Sequence, residues 1–293
     1  MTQTTERVYI LGGTGHIGSK VARDLIANHI PVTIFARDPN KVSSLFPNSG
    51  DLVNVVQGDY SDLTPLKNSL PGHTRLFLLV KDLKDLTKHK IAIATLAYEA
   101  GVKQVVDVST LLTTFQWRAS YIAHIHYVAE KKIEEIPGRG AFVTLRPGTF
   151  MSNFYNFDPP QGNVLTGVAP GDARQNWISP TDIGALAAII LLEPIEKHGD
   201  AVYEMIGDVA TPEEQAAVLS RVLGRQITYK RISEVERYNH LQKLGYPSHE
   251  VIYDLVQYLE PPNLEVTGKL QILLGREPEK LEAFLAAHKD KFA

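Results

Sequence analysis

One stretch of the sequence, HIHYVAEKKIEEI at residues 124–136, contains side chains that could move a proton. Tyr127 and Lys131 are four residues apart, so a helix would place them on the same face. An ammonium group beside a phenol lowers the pKa of the phenol, and such a pair can act as a general acid. His126 is a second candidate, because an imidazole exchanges protons near neutral pH. The stretch therefore offers alternative acids, and the orientation of the helix decides between them.

The apolar residues of this stretch predict which side of the helix is buried. On a helix that advances about 100° per residue, Tyr127 and Lys131 lie about 160° from the centre of the apolar stripe and His126 about 60° from it. We therefore expect Tyr127 and Lys131 to point away from the packed face and prefer His126 as donor or orienting group. A buried histidine bonded to a backbone carbonyl is the structural alternative. The stripe consists of Ile122, Ile125, Ala129, Ile133 and Ile136.

A glycine-rich turn, YILGGTGHIG at residues 9–18, lies between a strand-like and a helix-like segment. Gly12 permits a tight turn, Gly15 leaves room for a phosphate to approach the backbone, and Gly18 lets helix and strand pack closely. The first N–H groups of the following helix attract anions. We therefore predict a dinucleotide site that includes Gly12, Thr14, Gly15, His16 and Ile17.

The end of the second strand-like segment indicates which dinucleotide is preferred. An acidic residue there is typical of NAD sites, whereas this sequence has Arg37, with Lys41 nearby. Both cations could pair with a ribose 2′-phosphate, which favours NADP(H) over NAD(H). The alternative is that both are solvated loop charges. Other residues expected along the cofactor groove follow later strand-like segments: Asp59, Tyr60, Val80, Lys81 and Ser109.

Strand-like and helix-like segments alternate through the first half of the chain. This order predicts right-handed βαβ units and an α/β, Rossmann-type fold with a doubly wound parallel sheet. After residue 150 several amphipathic segments predict a smaller, mainly helical C-terminal substrate lobe. We expect an NAD(P)-binding domain at 1–152, to which residues 176–208 return, and a smaller substrate or partner lobe at 153–293.

Composition excludes several classes of function. The 293 residues contain no cysteine, which rules out disulfides, thiolate catalysis and cysteine-ligated metals. His124 and His126 do not face each other on a helix, so no metal site is expected. A net charge of −3 gives no reason to expect direct nucleic-acid binding, and no apolar run is long enough to span a membrane. These features are typical of a cytoplasmic protein.

An aromatic segment, RPGTFMSNFYNFDPP at residues 146–160, follows the last strand-like segment of the first half. Its rings could line an apolar pocket for a flat aromatic substrate, or they could form a core. The rings and the methionine considered are Phe150, Met151, Phe154, Tyr155 and Phe157. Arg146 is expected to anchor structure. The predicted substrate contacts are Phe150, Asn153, Phe154 and Trp177.

Eight segments occur in an order that resembles one protein family: ILGGTGHIG, FARDPNK, VQGDYSD, AGVKQVVDVST, HIHYVAEKKIEE, VTLRPGTFMSN, WISPTDIGALAA and LLGREPEKLEAF. Over nearly its whole length the sequence is similar to the NmrA-like family of atypical short-chain dehydrogenases/reductases. It looks closest to the branch that holds triphenylmethane reductase and quinone oxidoreductase-like members. The resemblance implies a Rossmann domain, a small substrate lobe and usually NADP(H).

The resemblance leaves the activity open. It implies an NADPH-dependent oxidoreductase that reduces an aromatic or quinone-like small molecule, or a non-catalytic NADP(H)-sensing regulatory protein that acts through protein partners. A structural module stabilised by the cofactor is a third hypothesis, and an oligomer is compatible with each. Reductases of the family carry a lysine near the nicotinamide at about the position of His126. The sequence departs from those members there, which leaves His126 as the candidate.

Overall fold

The computed structural model describes residues 6–245, 248–259, 266 and 268–292. The chain forms two compact units. Unit 1 comprises the residues up to Thr110, Ile125–Arg146 and Ile183–Tyr203. Unit 2 comprises Leu111–His124, Pro147–Asp182 and the residues from Glu204 onward. Unit 1 is left at residue 146, whereas the sequence pattern suggested a boundary at 152. The later segment that returns to unit 1 is 183–203, whereas the sequence pattern suggested 176–208.

The strands, in chain order, are β1 (Val8–Leu11), β2 (Val32–Ala36), β3 (Val53–Gln57), β4 (Arg75–Leu78), β5 (Gln104–Val108), β6 (Ala141–Pro147), β7 (Thr149–Phe150), β8 (Val164–Gly167), β9 (Gln175–Ile178), β10 (Val202–Met205), β11 (Asp208–Ala210) and β12 (Thr228–Arg231). The short 3-10 helices are Gly50–Leu52, Leu111–Thr114 and Lys289–Phe292.

The α-helices are α1 (His16–Ala27), α2 (Pro39–Leu45), α3 (Thr64–Ser69), α4 (Leu86–Glu99), α5 (Tyr121–Glu134), α6 (Asn153–Asn156), α7 (Pro180–Leu192), α8 (Ile195–His198), α9 (Pro212–Leu223), α10 (Glu234–Gln242), α11 (His249–Leu255), α12 (Gly268–Leu274) and α13 (Leu281–Ala287). Among the helices described, none combines the length and the apolar character needed to cross a membrane.

A seven-stranded sheet forms the centre of unit 1, in the order β10-β6-β5-β4-β1-β2-β3. All five pairings among β1 to β6 are parallel. Val8 of β1 lies opposite Val32 on one side and Arg75 on the other. The strand order reverses between β1 and β4, which is the point where Rossmann-type sheets bind their ligands. The predicted doubly wound Rossmann-type sheet is confirmed.

Helices cover both faces of this sheet, which explains why its central strands are continuous apolar runs. On one face Leu66 of α3, Ile93 of α4 and Ile133 of α5 share a buried core with Tyr9 of β1. On the other face α1 packs on β1 and β2. A Cβ at Gly184 would press on α1, so this glycine allows α7 to approach α1 closely.

Unit 2 combines helices with two small sheets. One sheet has the strand order β11-β9-β7, and the other pairs β12 with β8. Residues of these strands and of α9 and α13 form a common apolar core. Helix α9 begins with a capping box in which Thr211 and Glu214 bond each other's backbone N–H groups, and it ends at Gly224 in the left-handed region.

Candidate functional site

The glycine-rich turn connects β1 to α1 at the switch point of the sheet. Gly12 has φ +75°, in the left-handed region that glycine adopts most readily. The Gly15 N–H donates to the Gly12 carbonyl over 3.0 Å. A Cβ at Gly18 would overlap with the Gly12 carbonyl, so Gly18 lets α1 pack on the turn. The turn therefore requires glycine at Gly12 and Gly18 for its own geometry.

Gly15 has no such structural requirement. A Cβ there would meet only the Gly12 carbonyl, at an ordinary contact distance of 3.5 Å. Gly15 and His16 are exposed, whereas the Ile17 side chain is buried. Gly15 is the N-cap of α1, it has no side chain to cap the helix, and the first turn contains no acidic residue. The exposed end of α1 thus fits an anionic group such as a pyrophosphate.

The residues after β2 and β3 form a polar group at the same edge of the sheet. Arg37 and Lys41 are exposed. Asp38 accepts a hydrogen bond from the Asn40 N–H over 2.9 Å and caps α2, so its charge is engaged by the helix. Hydrogen bonds from Ser61, helped by the nearby Arg37 guanidinium, lower the pKa of Asp59. The structure therefore brings Arg37 close to Asp59.

Tyr60 belongs to a row of rings beside this polar group. Its ring stacks on Phe35 at 6.4 Å and tilts against His89 at 4.9 Å. Burial raises the pKa of Tyr60 to about 12, so its phenol stays protonated at neutral pH. Strand β4 ends at Leu78, and beyond it Val80 is buried while Lys81 is exposed. Of that pair, Lys81 is the residue whose side chain a ligand could contact.

A buried polar cluster lies where β5 ends. The Ser109 hydroxyl donates to Glu130, and both residues are almost completely buried. The Arg146 guanidinium donates to Glu130 through Nη2 at 2.5 Å and Nε at 3.3 Å. Arg146 thus joins β6 to α5, in agreement with the anchoring role expected for it. The Ser109 hydroxyl hydrogen is already engaged, which leaves its oxygen lone pairs for a ligand.

His126 lies in a second buried cluster with Lys90 and Asp107. Lys90 Nζ is 2.7 Å from Asp107 Oδ1 and 2.9 Å from Oδ2, and both side chains are 0% exposed. The same ammonium is 2.8 Å from the Val108 carbonyl and 3.3 Å from His126 Nδ1. Burial, reinforced by the Lys90 charge, lowers the pKa of His126 well below its usual value. His126 is therefore a neutral imidazole at pH 7.

Lys131 lies outside both clusters. Its side chain is 52% exposed, and its ammonium bonds Glu134 over 3.0 Å. This contact raises the pKa of Lys131. Tyr127 is half-buried. The surface position of Lys131 agrees with the orientation expected from the apolar stripe, of which Ala129 and Ile133 are fully buried.

Three residues of these clusters were missed in the sequence. Lys90 looks like one cation of the run KHK in the first turns of an apolar helix, Asp107 interrupts the strand-like segment VVDVS, and Glu130 lies in the mostly charged stretch AEKKIEE. Only Asp107 gave a usable signal, because a carboxylate inside an apolar strand requires a buried partner. The partner's identity depends on how α4 packs on β5.

Unit 2 contains a cavity of about 270 Å³. Asn153, Phe154 and Trp177 line it, whereas Phe150 is not among the lining residues described. The rings of Phe154 and Trp177 lie 4.6 Å apart, and both also belong to the apolar core of the unit. Among the described residues, nothing accepts a hydrogen bond from the buried Trp177 indole N–H. The cavity therefore combines an aromatic wall with polar groups.

Met151 and Tyr155 of the aromatic segment serve packing. Met151 is fully buried in the core of unit 2. Tyr155 stacks on Phe284 at 6.1 Å and on His288 at 5.6 Å. Neither residue lines the cavity described above. Met151 and Tyr155 are therefore part of the apolar core of unit 2 and do not line a substrate pocket.

Comparison with known proteins agrees with this fold and turn. The chain matches the model of the NmrA-like family over residues 4–285. It is 30% identical to a (4-alkanoyl-5-oxo-2,5-dihydrofuran-3-yl)methyl phosphate reductase of Streptomyces griseus, over 98% of this chain and 99% of the relative. It is 27% identical to an NAD(P)H azoreductase of Xenophilus azovorans, over 97% and 99%.

A solved structure is similar over the same extent. The NADPH-dependent quinone oxidoreductase of Escherichia coli, complexed with NADPH, matches with a TM-score of 0.81 and 25% identity. The match covers 97% of this chain and 99% of that chain. Because the family model spans almost the whole sequence, the chain belongs to the NmrA-like family.

Proposed function

We propose that the protein is an NADPH-dependent oxidoreductase that reduces an aromatic or quinone-like small molecule. The main support is the exposed N-terminus of α1 behind the glycine turn, where Gly15 is required by no contact within the protein. A ligand that needs the space beside Gly15 explains this glycine. The relatives named above are reductases, and the solved relative holds NADPH.

The chain's own residues would bind and orient the cofactor. The N–H groups at the start of α1 bind the pyrophosphate, and Asp59 and Tyr60 lie beside the adenosine part. When bound, the nicotinamide ring supplies a hydride. Neutral His126 offers an N–H for orientation and is a poor proton source at pH 7, because its imidazole is already deprotonated.

The preference for NADP(H) over NAD(H) rests on Arg37 and Lys41. Asp38, the acidic residue next to Arg37, caps α2 and is therefore less available to bind a ribose hydroxyl. An arginine with an exposed planar guanidinium can pair with a 2′-phosphate through two N–H groups. The same guanidinium would contribute nothing comparable to NAD(H).

For the substrate we propose the cavity of unit 2. Its aromatic wall of Phe154 and Trp177 suits a flat ring system. Asn153 adds a further amide to the lining. Phe150, which the sequence favoured, is left without a substrate role in this proposal.

The second hypothesis, a cofactor-sensing regulatory protein, is less well supported. The missing family lysine and the outward orientation expected for Tyr127 are the sequence features that favour it. Lys90 of α4 places a buried ammonium beside His126, where it can orient the imidazole ring. The oxidoreductase is therefore the better supported function.

One set of measurements tests the proposal. NADPH oxidation is followed with a panel of quinones and azo and triphenylmethane dyes, beside fluorescence titrations with NADPH and NADH. We expect NADPH to bind more tightly than NADH and at least one acceptor to be reduced. Tight binding of NADPH without turnover on any acceptor would contradict the oxidoreductase and favour the sensor.

A further inference from the structure

The Lys90 ammonium has three N–H groups and three neighbours that accept them. One hydrogen points to Asp107, one to the Val108 carbonyl at 2.8 Å, and the third to His126 Nδ1 at 3.3 Å. An ammonium group can only donate hydrogen bonds. The His126 Nδ1 atom must therefore act as the acceptor, and a ring nitrogen that accepts carries no proton.

We propose that Lys90 is a positioning residue that holds His126 as the tautomer protonated at Nε2. No residue of the described chain other than Lys90 bonds the His126 ring. The Nε2–H group is therefore available to a ligand, and it can donate but not accept. The tautomer is a property of the protein itself and does not depend on the proposed function. Only the identity of the ligand that the Nε2–H group would contact rests on the proposed function.

The Asp107 carboxylate lies 2.7 Å from Lys90 Nζ; burial raises the pKa of Asp107, and the ammonium beside it opposes that rise. A lysine buried without a partner becomes neutral, and a neutral amine could accept a hydrogen bond from Nδ1 instead. The close ion pair at 2.7 Å opposes that outcome. The bond to the Val108 carbonyl also fixes the ammonium at the end of β5, so its direction toward His126 is set by the sheet.

The other charges near His126 are neutralised in pairs. Glu130 lies one turn further along α5 and is bonded to Arg146 of β6 and to Ser109. Asp107 is bonded to Lys90. The Lys90 ammonium is the charge that acts directly on the His126 ring, and it opposes protonation. The Nε2–H tautomer should therefore persist over the pH range in which an ordinary histidine titrates.

Nuclear magnetic resonance of the protein labelled with 15N in its histidines tests the inference without any substrate. Two-bond 15N–1H correlations distinguish the two neutral tautomers, and His126→Gln identifies the signal of this residue. We expect an Nε2–H tautomer that stays unchanged from about pH 5.5 to about pH 8, the window in which histidines titrate. An Nδ1–H tautomer, or a midpoint near the usual 6.5, would overturn the proposal.

A paired variant shows that Lys90 is responsible. Lys90→Met combined with Asp107→Val removes both charges together, so neither is left buried alone. We expect the double variant to show an Nδ1–H population and a His126 midpoint shifted upward. Lys88→Met, an exposed lysine two residues away on α4, is the matched control and should leave the signal unchanged. An unaltered tautomer in a folded double variant would contradict the role of Lys90.

Turnover measurements separate this inference from the proposed function. In the wild type, His126 stays neutral as the pH falls from about 7 to about 5.5, so we expect no decrease of turnover from its protonation. In the double variant His126 becomes protonated over this range, and we expect turnover to decrease. A wrong tautomer in an active reductase would reject the inference alone. The correct tautomer in a protein without turnover would reject the proposed function alone.

Discussion

At the scale of single residues, two candidate catalytic residues of α5 differ sharply in burial. His126 is enclosed and neutral because the loss of water and, second, the Lys90 charge oppose its protonation. Lys131, five residues further on, is exposed and bound to Glu134. A helix can therefore carry the lysine of an apparent catalytic pair on its surface while a histidine with a lowered pKa lies on its packed flank.

The lowered pKa of His126 predicts a pH dependence of stability. In the unfolded chain this histidine binds a proton below about pH 6.5, whereas the folded state excludes it. Above that pH the neutral His126 contributes fully to the free energy of unfolding. As the pH falls from there toward the pKa of His126 in the folded protein, the free energy of unfolding decreases by at most about 1.4 kcal/mol per pH unit. Urea unfolding of wild type and His126→Gln at pH 7, 6 and 5 should show a smaller loss in the variant.

The control for this measurement is His29→Asn. His29 is exposed and has φ +60°, a backbone conformation that asparagine also adopts. The His29 variant should lose stability with falling pH as the wild type does. If the His126 variant behaved like the His29 variant, the buried histidine would not be the group that resists protonation.

Arg37 carries the predicted choice of cofactor. Removing a charge-assisted hydrogen bond to a phosphate costs about 1.5–3 kcal/mol, or roughly 10- to 150-fold in affinity. Arg37→Ala should weaken NADPH binding by that factor and leave NADH binding within about 2-fold. Fluorescence titration measures both. As a control, Lys67→Ala removes an exposed cation from α3 and is expected to change the affinity for neither cofactor. If Arg37→Ala weakened NADPH and NADH binding equally, a contact between Arg37 and the 2′-phosphate would be excluded.

At the scale of elements, the packing of α5 decides which of its polar residues can meet the cofactor. Ile133 joins the core formed with Leu66 and Ile93, and Glu130 is bonded to Ser109 and Arg146. These contacts fix the rotation of the helix about its axis. Lys131 is thereby held at the surface, and a catalytic role would require it to leave Glu134.

This rotation predicts that Lys131→Met keeps most of the turnover. A lysine that assists a general acid typically contributes about 10²-fold or more, whereas a surface ion pair contributes almost nothing. Lys132→Met is the matched control, because Lys132 is similarly exposed and bonds Glu135. Both variants should behave alike in the NADPH oxidation assay. A large loss confined to Lys131→Met would reinstate the Tyr127–Lys131 pair.

At the scale of the whole molecule, the sequence predicted architecture better than buried polar contacts. The order of strands and helices and the roles of Gly12 and Gly18 follow from local patterns, because turn geometry and periodicity are local. The Lys90–Asp107–His126 cluster joins α4, β5 and α5, and its contacts depend on long-range packing. Unit boundaries were also difficult, because the segment 111–124 interrupts unit 1 without a change in composition.

The two glycines at the start of α1 should respond differently when the stability of the entire protein is measured. Gly15→Ala places a Cβ in ordinary contact, so its melting temperature without ligand should stay close to the wild-type value. Gly18→Ala forces a Cβ against the Gly12 carbonyl and should melt earlier. NADPH at about 100 times its Kd stabilises a folded protein by about 2.7 kcal/mol.

The wild type should therefore melt at a higher temperature with NADPH, and Gly15→Ala should lose much of that shift because its methyl group occupies the space next to the pyrophosphate. Differential scanning calorimetry of the three proteins, each with and without NADPH, measures both effects. Gly50→Ala serves as a control for glycine replacement outside the turn, since nothing lies near its added Cβ although its φ of +51° costs some stability. A Gly15 variant that kept the full NADPH shift would show that the cofactor does not approach the backbone at this glycine.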